Sequence, residues 1–178
     1  PYAVTVANAL PDWMVEYGNV QQTQMTYNEV SLGGTVATLI ADGYPTLTGL
    51  TALDGNFSVL LYGGPMPISI SQTEQIPLGT RSLLFEWGGS DLVQPQVSIG
   101  GDSLTLFPVR SGVYGANISA WAGQVEQLSF TVPAGYGPYE FDDISFSASA
   151  VPEPNPLVLT GLGGVLIALY RRYAPKRQ

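Results

Sequence analysis

The stretch VEQLSFTV, residues 125–132, alternates between apolar and polar side chains with a period of two. Leu128, Phe130 and Val132 fall on one face, whereas the residues that flank them are glutamine, serine and threonine. This alternation is typical of a β-strand with one face in a core and the other in water. We therefore predict a β-strand at residues 125–132.

Several other short runs share this character, being rich in valine, leucine, phenylalanine and serine and ending in glycine or proline. They are NFSVLLYGG (56–64), RSLLFEWGG (81–89) and PQVSIGGDSLTLFPV (95–109). The diglycine in the last run predicts a tight hairpin, because glycine adopts positive φ without steric cost. No stretch of ten residues before residue 150 has a helical period. We predict an all-β fold for residues 1–150, an antiparallel β-sandwich that resembles a jelly roll.

A further predicted strand, at residues 139–147, contains an irregularity. In YEFDDISFS (139–147), the apolar positions change parity between Phe141 and Ile144. Such a change of face predicts a β-bulge at Asp142 and Asp143, because one extra residue turns the following side chains to the other side.

Asp142 and Asp143, with Glu140 beside them, also form the only dense carboxylate cluster. Calcium takes roughly six to eight oxygen ligands, so the two aspartates are candidate calcium ligands. The spacing is not that of an EF-hand loop, and a solvated or bulged start of a strand explains it equally. Both interpretations stay open, and no other metal or cofactor is predicted.

The composition excludes several functional classes. The chain has no cysteine and no histidine, which removes thiolate chemistry, Ser-His-Asp triads and His-ligated metal sites. Residues 1–153 hold two of the basic residues and all 14 acidic ones, a net charge of −12, which argues against nucleic acid as a partner. No motif marks a pair of catalytic acids. We therefore predict no catalytic residue and a protein that is not an enzyme.

Two tryptophans are candidate contact or packing residues. Trp13, in LPDWMVEYG near the start, is predicted to be an exposed contact for a sugar or a protein partner. Trp121, in the corner ISAWAGQ, is predicted to pack in the core.

The chain changes character after residue 150. We predict a proline-rich linker at 151–156, a transmembrane α-helix at 157–173 and a basic tail at 174–178. Asn155 and Pro156 make a good helix start. The segment 157–170 has 14 residues and no charge, and extension to Tyr173 gives 17 residues. As a helix, 17 residues would span roughly 26 Å, close to the ~30 Å of a bilayer core. The alternative is a helix buried in the protein core.

The charge order predicts the topology of this helix. Basic residues directly after an apolar segment are typical of the cytoplasmic side, which predicts an inner-membrane protein with a periplasmic or extracellular sandwich and a cytoplasmic C-terminus. Thr160, Gly164 and Ala168 form a stripe of small residues that would let another helix approach, although glycine is common in such tails. The chain begins at Pro1 in mature-looking sequence, so we infer an export signal that was either removed or left out of the numbering.

The segments YGANISAWAGQVEQLSFTVPAG (114–135) and YEFDDISFSASAVPEP (139–154) resemble the end of exported bacterial proteins that carry a PEP-CTERM sorting domain. The matching elements occur in the order expected of that domain: a proline-glutamate-proline motif, an apolar segment and a pair of arginines. The motif residues are Pro152, Glu153, Pro154, Arg171 and Arg172. The resemblance implies a sandwich ectodomain and a tail that an exosortase recognises and is thought to remove.

Three functions are consistent with these features. We expect first a non-enzymatic, membrane-anchored accessory subunit whose retained tail helix packs with transmembrane and periplasmic subunits of a larger complex, such as a respiratory or photosynthetic assembly. The alternatives are an exosortase-sorted surface or exopolysaccharide-matrix protein, and a carbohydrate-binding module for which a polysaccharide is the partner.

Overall fold

The computed structural model describes residues 2–29, 36–44, 51–89 and 93–151. In that part of the chain there are 14 β-strands, one α-helix and one turn of 3-10 helix at Ser119–Trp121. The strands and the α-helix are β1 (Tyr2–Thr5), α1 (Val6–Ala9), β2 (Met14–Tyr17), β3 (Val20–Gln22), β4 (Gln24–Tyr27), β5 (Ala37–Ala41), β6 (Phe57–Leu61), β7 (Ile68–Gln75), β8 (Ser82–Gly89), β9 (Gln96–Ile99), β10 (Asp102–Ser103), β11 (Phe107–Arg110), β12 (Val113–Asn117), β13 (Val125–Val132) and β14 (Tyr139–Ser147).

The strands form two sheets that share one core. The larger sheet has the order β1-β4-β5-β6-β14-β8-β12-β11, and the smaller has the order β10-β9-β13-β7-β2-β3. Neighbouring strands are antiparallel except β4 and β5, which run parallel. The buried apolar side chains of the two sheets form one cluster, as expected when each sheet must bury one face. The predicted β-sandwich is confirmed.

Three phenylalanines join the sheets at the centre of the core. Phe130 on β13 meets Phe85 on β8 and Phe141 on β14 with ring centroids 5.0 Å and 5.4 Å away. Both contacts are edge-to-face, the arrangement that the charge distribution of aromatic rings favours. Leu128 and Val132 are buried on the same face of β13 as Phe130, which confirms the alternation predicted for 125–132.

The predicted hairpin at the diglycine is also present. Gly100 and Gly101 join β9 to β10 with φ angles of 59° and 89°, so both lie in the left-handed region where other residues are strained. Ile99 pairs with Asp102 directly across this two-residue turn.

The described chain ends on the outer face of the larger sheet. Val151 is buried there, and its Cγ2 lies 2.8 Å from where a Cβ on Gly115 would stand. The hydroxyl of Ser82 donates a hydrogen bond to the carbonyl of Ser149 at 2.7 Å. Val151, predicted as the first residue of the linker, therefore still packs against the sandwich.

The predicted fold class is wrong in its second part, because it included a C-terminal transmembrane α-helix. Neither helix in the described part of the chain has the length and apolar character that crossing a bilayer requires. The α-helix found there is the four-residue α1, which sits between two strands of the sandwich. The segment 157–173 itself lies outside the described residues. The localisation in the inner membrane depended on that helix and is corrected with it.

The phenylalanine cluster predicts a stability test. Phe130→Ala should lower the free energy of unfolding by about 3–5 kcal/mol, because it leaves a cavity between two sheets that cannot collapse onto it. Urea unfolding followed by circular dichroism measures the loss. Phe146→Ala is the matched control, since Phe146 is 38% exposed. An equal loss in the two variants would contradict the role given to Phe130.

Candidate functional site

A cleft of about 330 Å³ opens in the larger sheet between β6 and β14. We call it the β6–β14 cleft. Its lining comes from α1 with the turn that follows it and from strands of both sheets. These strands are β5, β6 and β14 of the larger sheet and β7 and β13 of the smaller one. The lining is mainly apolar with a few polar groups, which is the composition of most small-molecule sites.

The cleft exists because β14 leaves β6. The two strands pair as far as Phe141 and Val59, and beyond that point β14 pairs only with β8. The register with β8 shifts between Asp142 and Ser145, and Asp143 has a φ of 45°. This confirms the predicted β-bulge. Bulges bend the strand that carries them, so the bulge opens the gap between β14 and β6.

The carboxylate of Asp142 fixes the inner edge of this gap. Its Oδ2 accepts hydrogen bonds from the Ser58 hydroxyl at 2.7 Å and from the Asp54 backbone N–H at 3.1 Å. Its Oδ1 accepts the Asp143 N–H at 2.8 Å. The Leu53 N–H donates in turn to the Ser58 hydroxyl at 2.7 Å. One carboxylate thus ties the bulge to the loop before β6, across more than 80 residues of chain.

The mouth of the cleft carries exposed aromatic rings and one free carboxylate. Phe57 on β6 and Phe146 on β14 are 48% and 38% exposed, which is unusual for side chains of this size. Asp143 is exposed, and its carboxylate has no hydrogen-bond partner within the described chain. Ile70 and Leu128 of the smaller sheet are buried and form the floor.

The structure places the two tryptophans in different surroundings from each other. Trp13 is half-buried in the turn after α1, where its backbone N–H donates to the Leu10 carbonyl at 3.1 Å and its ring centroid lies 6.2 Å from that of Phe130. It therefore forms part of the cleft wall rather than a free surface. Trp121 is half-buried against the core, as predicted.

Glu140 lies next to this site and is buried in an unusual state. The side chain is 1% exposed, and neither carboxyl oxygen has a hydrogen-bond partner in the described structure. Burial raises the pKa of the Glu140 carboxyl from 4.5 to about 7. The charge of Asp142 raises this pKa further, whereas the nearby Ser58 hydroxyl lowers it. That hydroxyl donates its proton to Asp142, so Glu140 keeps no partner of its own.

The remaining predicted site residues are not brought together by the described structure. The sorting motif and the small-residue stripe lie outside the described residues, so both stay predictions. Calcium at Asp142 and Asp143 also stays a prediction. The described residues contain no group of three or more acidic side chains placed to hold a metal ion, and both oxygens of Asp142 already accept hydrogen bonds.

Phe57 and Phe146 are the site residues that the sequence analysis missed. The parity change that predicted the bulge already placed Phe146 on the same face as Ile144. Nothing local indicates that Phe146 stays exposed, because its exposure results from the loss of β6 as a neighbour. Phe57 follows the turn at Gly55 and Asn56 and reads as the first core residue of its strand.

No protein-family model matches this chain, and no curated protein matches it. Among solved structures, the chain is similar to that of TmCBM61 in complex with β-1,4-galactotriose. The likeness covers 80% of this chain and 93% of that one, with 14% sequence identity and a TM-score of 0.41. A likeness of this degree carries no argument about the ligand.

The raised pKa of Glu140 predicts how stability depends on pH. The unfolded carboxyl ionises near 4.5 and the folded one near 7, so the folded state binds more protons in between. The contribution is present in full below pH 4.5 and is lost as the pH rises through 7. It amounts to at most about 3 kcal/mol. Urea unfolding from pH 5 to 8 should show this decline, and Glu140→Gln should remove it.

The matched control for this experiment is Glu74→Gln, because Glu74 is an exposed glutamate on β7 in the other sheet. Its unfolding curve should keep the pH dependence of the unaltered protein. If Glu140→Gln also keeps it, the account of the buried carboxyl is wrong.

Proposed function

We propose that this protein binds carbohydrate in the β6–β14 cleft. The observation that carries the proposal is the mouth of the cleft. The exposed rings of Phe57 and Phe146 lie there on the two strands that border the cavity. The free carboxylate of Asp143 lines the same cavity.

A pyranose ring offers the two kinds of surface that this mouth would complement. Its axial C–H groups make an apolar face that packs on an aromatic ring, and its hydroxyls at the edge donate hydrogen bonds. Asp143 supplies an ionised acceptor for those hydroxyls, and bonds to ionised acceptors are stronger than bonds between neutral groups. Gln72, which also lines the cleft, adds an amide that both donates and accepts.

The size of the cleft suggests how much of a glycan it takes. A volume of about 330 Å³ is near the lower end of the range for ligand sites, which is roughly 300–1,000 Å³. We therefore expect the cleft to hold a chain end or a short stretch of sugar residues, with the rest of the polysaccharide outside.

The proposed role is binding without catalysis. Hydrolysis of a glycosidic bond uses two carboxyl groups that exchange protons or bonds with the substrate. Asp142 already accepts three hydrogen bonds from its own protein, so both of its oxygens are occupied. Asp143 is then the one carboxylate of the mouth that faces a ligand.

The aromatic rings provide the test. The full chain should bind at least one oligosaccharide class on a glycan array, and isothermal titration calorimetry with that sugar should give a dissociation constant. Phe57→Ala and Phe146→Ala should each weaken binding about tenfold, because each removes one ring–sugar contact.

Tyr136→Ala is the matched control, since Tyr136 is an aromatic residue 39% exposed outside the cleft. It should bind as the unaltered protein does. An array without binding, or phenylalanine variants that bind normally while folded by circular dichroism, would rule out the β6–β14 cleft as a sugar site.

A further inference from the structure

We infer that the β6–β14 cleft selects its glycans by charge, and that its preferred ligands carry protonated amino groups, as oligosaccharides of glucosamine do. This inference rests on the proposed function and names the substrate class of the same site.

The described lining of the cleft is acidic. Asp142 and Asp143 line the cleft, and no described lysine or arginine does so. The described part of the chain contains two basic residues, Arg81 and Arg110. Arg110 is 67% exposed and forms an ion pair with Glu86 at 3.4 Å, and Arg81 lies outside the lining at the start of β8. Among the described residues, the lining of the cleft therefore carries two acidic side chains and no basic one. Arg81 is the nearest basic residue in the strand pairing, since its backbone N–H donates to the carbonyl of Ser147, next to Phe146.

The two aspartates of the lining differ in their hydrogen-bond partners. Asp142 accepts three hydrogen bonds and has a structural role. Asp143 has no partner for its carboxylate, and the bulge directs its backbone into the left-handed region at the mouth of the cleft. An ammonium group has three donors and a full positive charge, so it suits a free carboxylate better than a hydroxyl does.

Apolar side chains surround these two carboxylates in the cleft. The floor of the cleft is apolar, because Ile70 and Leu128 are buried there, and charges interact more strongly beside such a surface than in open water. A uronate would bring a third negative charge next to Asp142 and Asp143 and would be repelled. A protonated amine would be attracted, and it would also gain from the faces of Phe57 and Phe146, since aromatic rings attract cations.

The experiment compares oligosaccharides with the same β-1,4-linked backbone. The three probes are glucosamine tetramer, its fully N-acetylated form and a glucuronate tetramer, each titrated into the full chain by calorimetry at pH 6. At low salt we expect the glucosamine tetramer to bind about tenfold more tightly than the acetylated form, and the glucuronate tetramer not to bind. The advantage of the amine should shrink as salt is added.

Asp143→Asn is the decisive variant. Asparagine tolerates the left-handed backbone that this position requires, so the fold should be kept while the charge is lost. The variant should bind the two forms with equal affinity, because the charge that distinguishes the amine from the acetylated form is gone. Asp102→Asn, an exposed aspartate on the β9–β10 hairpin, is the control and should keep the preference.

The outcomes separate the two claims. Equal affinity of the unaltered protein for the amine and acetylated probes, or binding of the glucuronate probe, overturns the inference and leaves carbohydrate binding in place. An equal effect of Asp102→Asn and Asp143→Asn also overturns it, because the attraction would then come from the acidic surface as a whole. If neither these probes nor any glycan on the array binds, the proposed function fails and the inference fails with it.

Discussion

The carboxylate of Asp142 connects two segments that lie far apart in the chain, and the site depends on this connection. It accepts hydrogen bonds from the hydroxyl of Ser58 and the N–H of Asp54 on one side and from the N–H of Asp143 on the other. These bonds tie the bulge of β14 to the start of β6 just beyond the point where the backbone pairing of the two strands ends.

The same region contains a buried carboxyl group whose ionisation is unfavourable. Glu140 lies two residues before Asp142 and is buried without a partner, so it is most stable as a neutral acid. The charge of Asp142 adds to the effect of burial and raises the pKa of Glu140 further. The bulge region therefore combines one carboxylate held by hydrogen bonds, one buried carboxyl whose pKa is raised, and one free carboxylate, that of Asp143, at the surface.

Much of this architecture is local enough to be predicted from the sequence. The alternation in 125–132 predicts the central strand, the diglycine at 100–101 predicts its hairpin, and the parity change after Phe141 predicts the bulge. Each of these signals arises within about ten residues, where backbone geometry alone sets the pattern.

The cleft, by contrast, is formed by residues that lie far apart in the sequence. Phe146 is exposed because β6 is absent on one side, and Trp13 enters the wall because the turn after α1 packs on Phe130. The segments involved lie about 80 residues apart or more, and no periodicity encodes their contacts. The composition of 157–173 predicts a transmembrane helix, and that segment lies outside the described residues. The part of the chain that the structure describes contains no helix of that kind.

The central claim is that the β6–β14 cleft is the binding site. The most direct measurement is a nuclear magnetic resonance titration of the ¹⁵N-labelled chain with a sugar that the glycan array identifies. The account predicts that the largest shifts occur at the backbone amides of Phe57, Asp143 and Phe146, and that those of the β9–β10 hairpin do not move. Shifts that cluster on the hairpin or another surface, with the cleft unchanged, would contradict it.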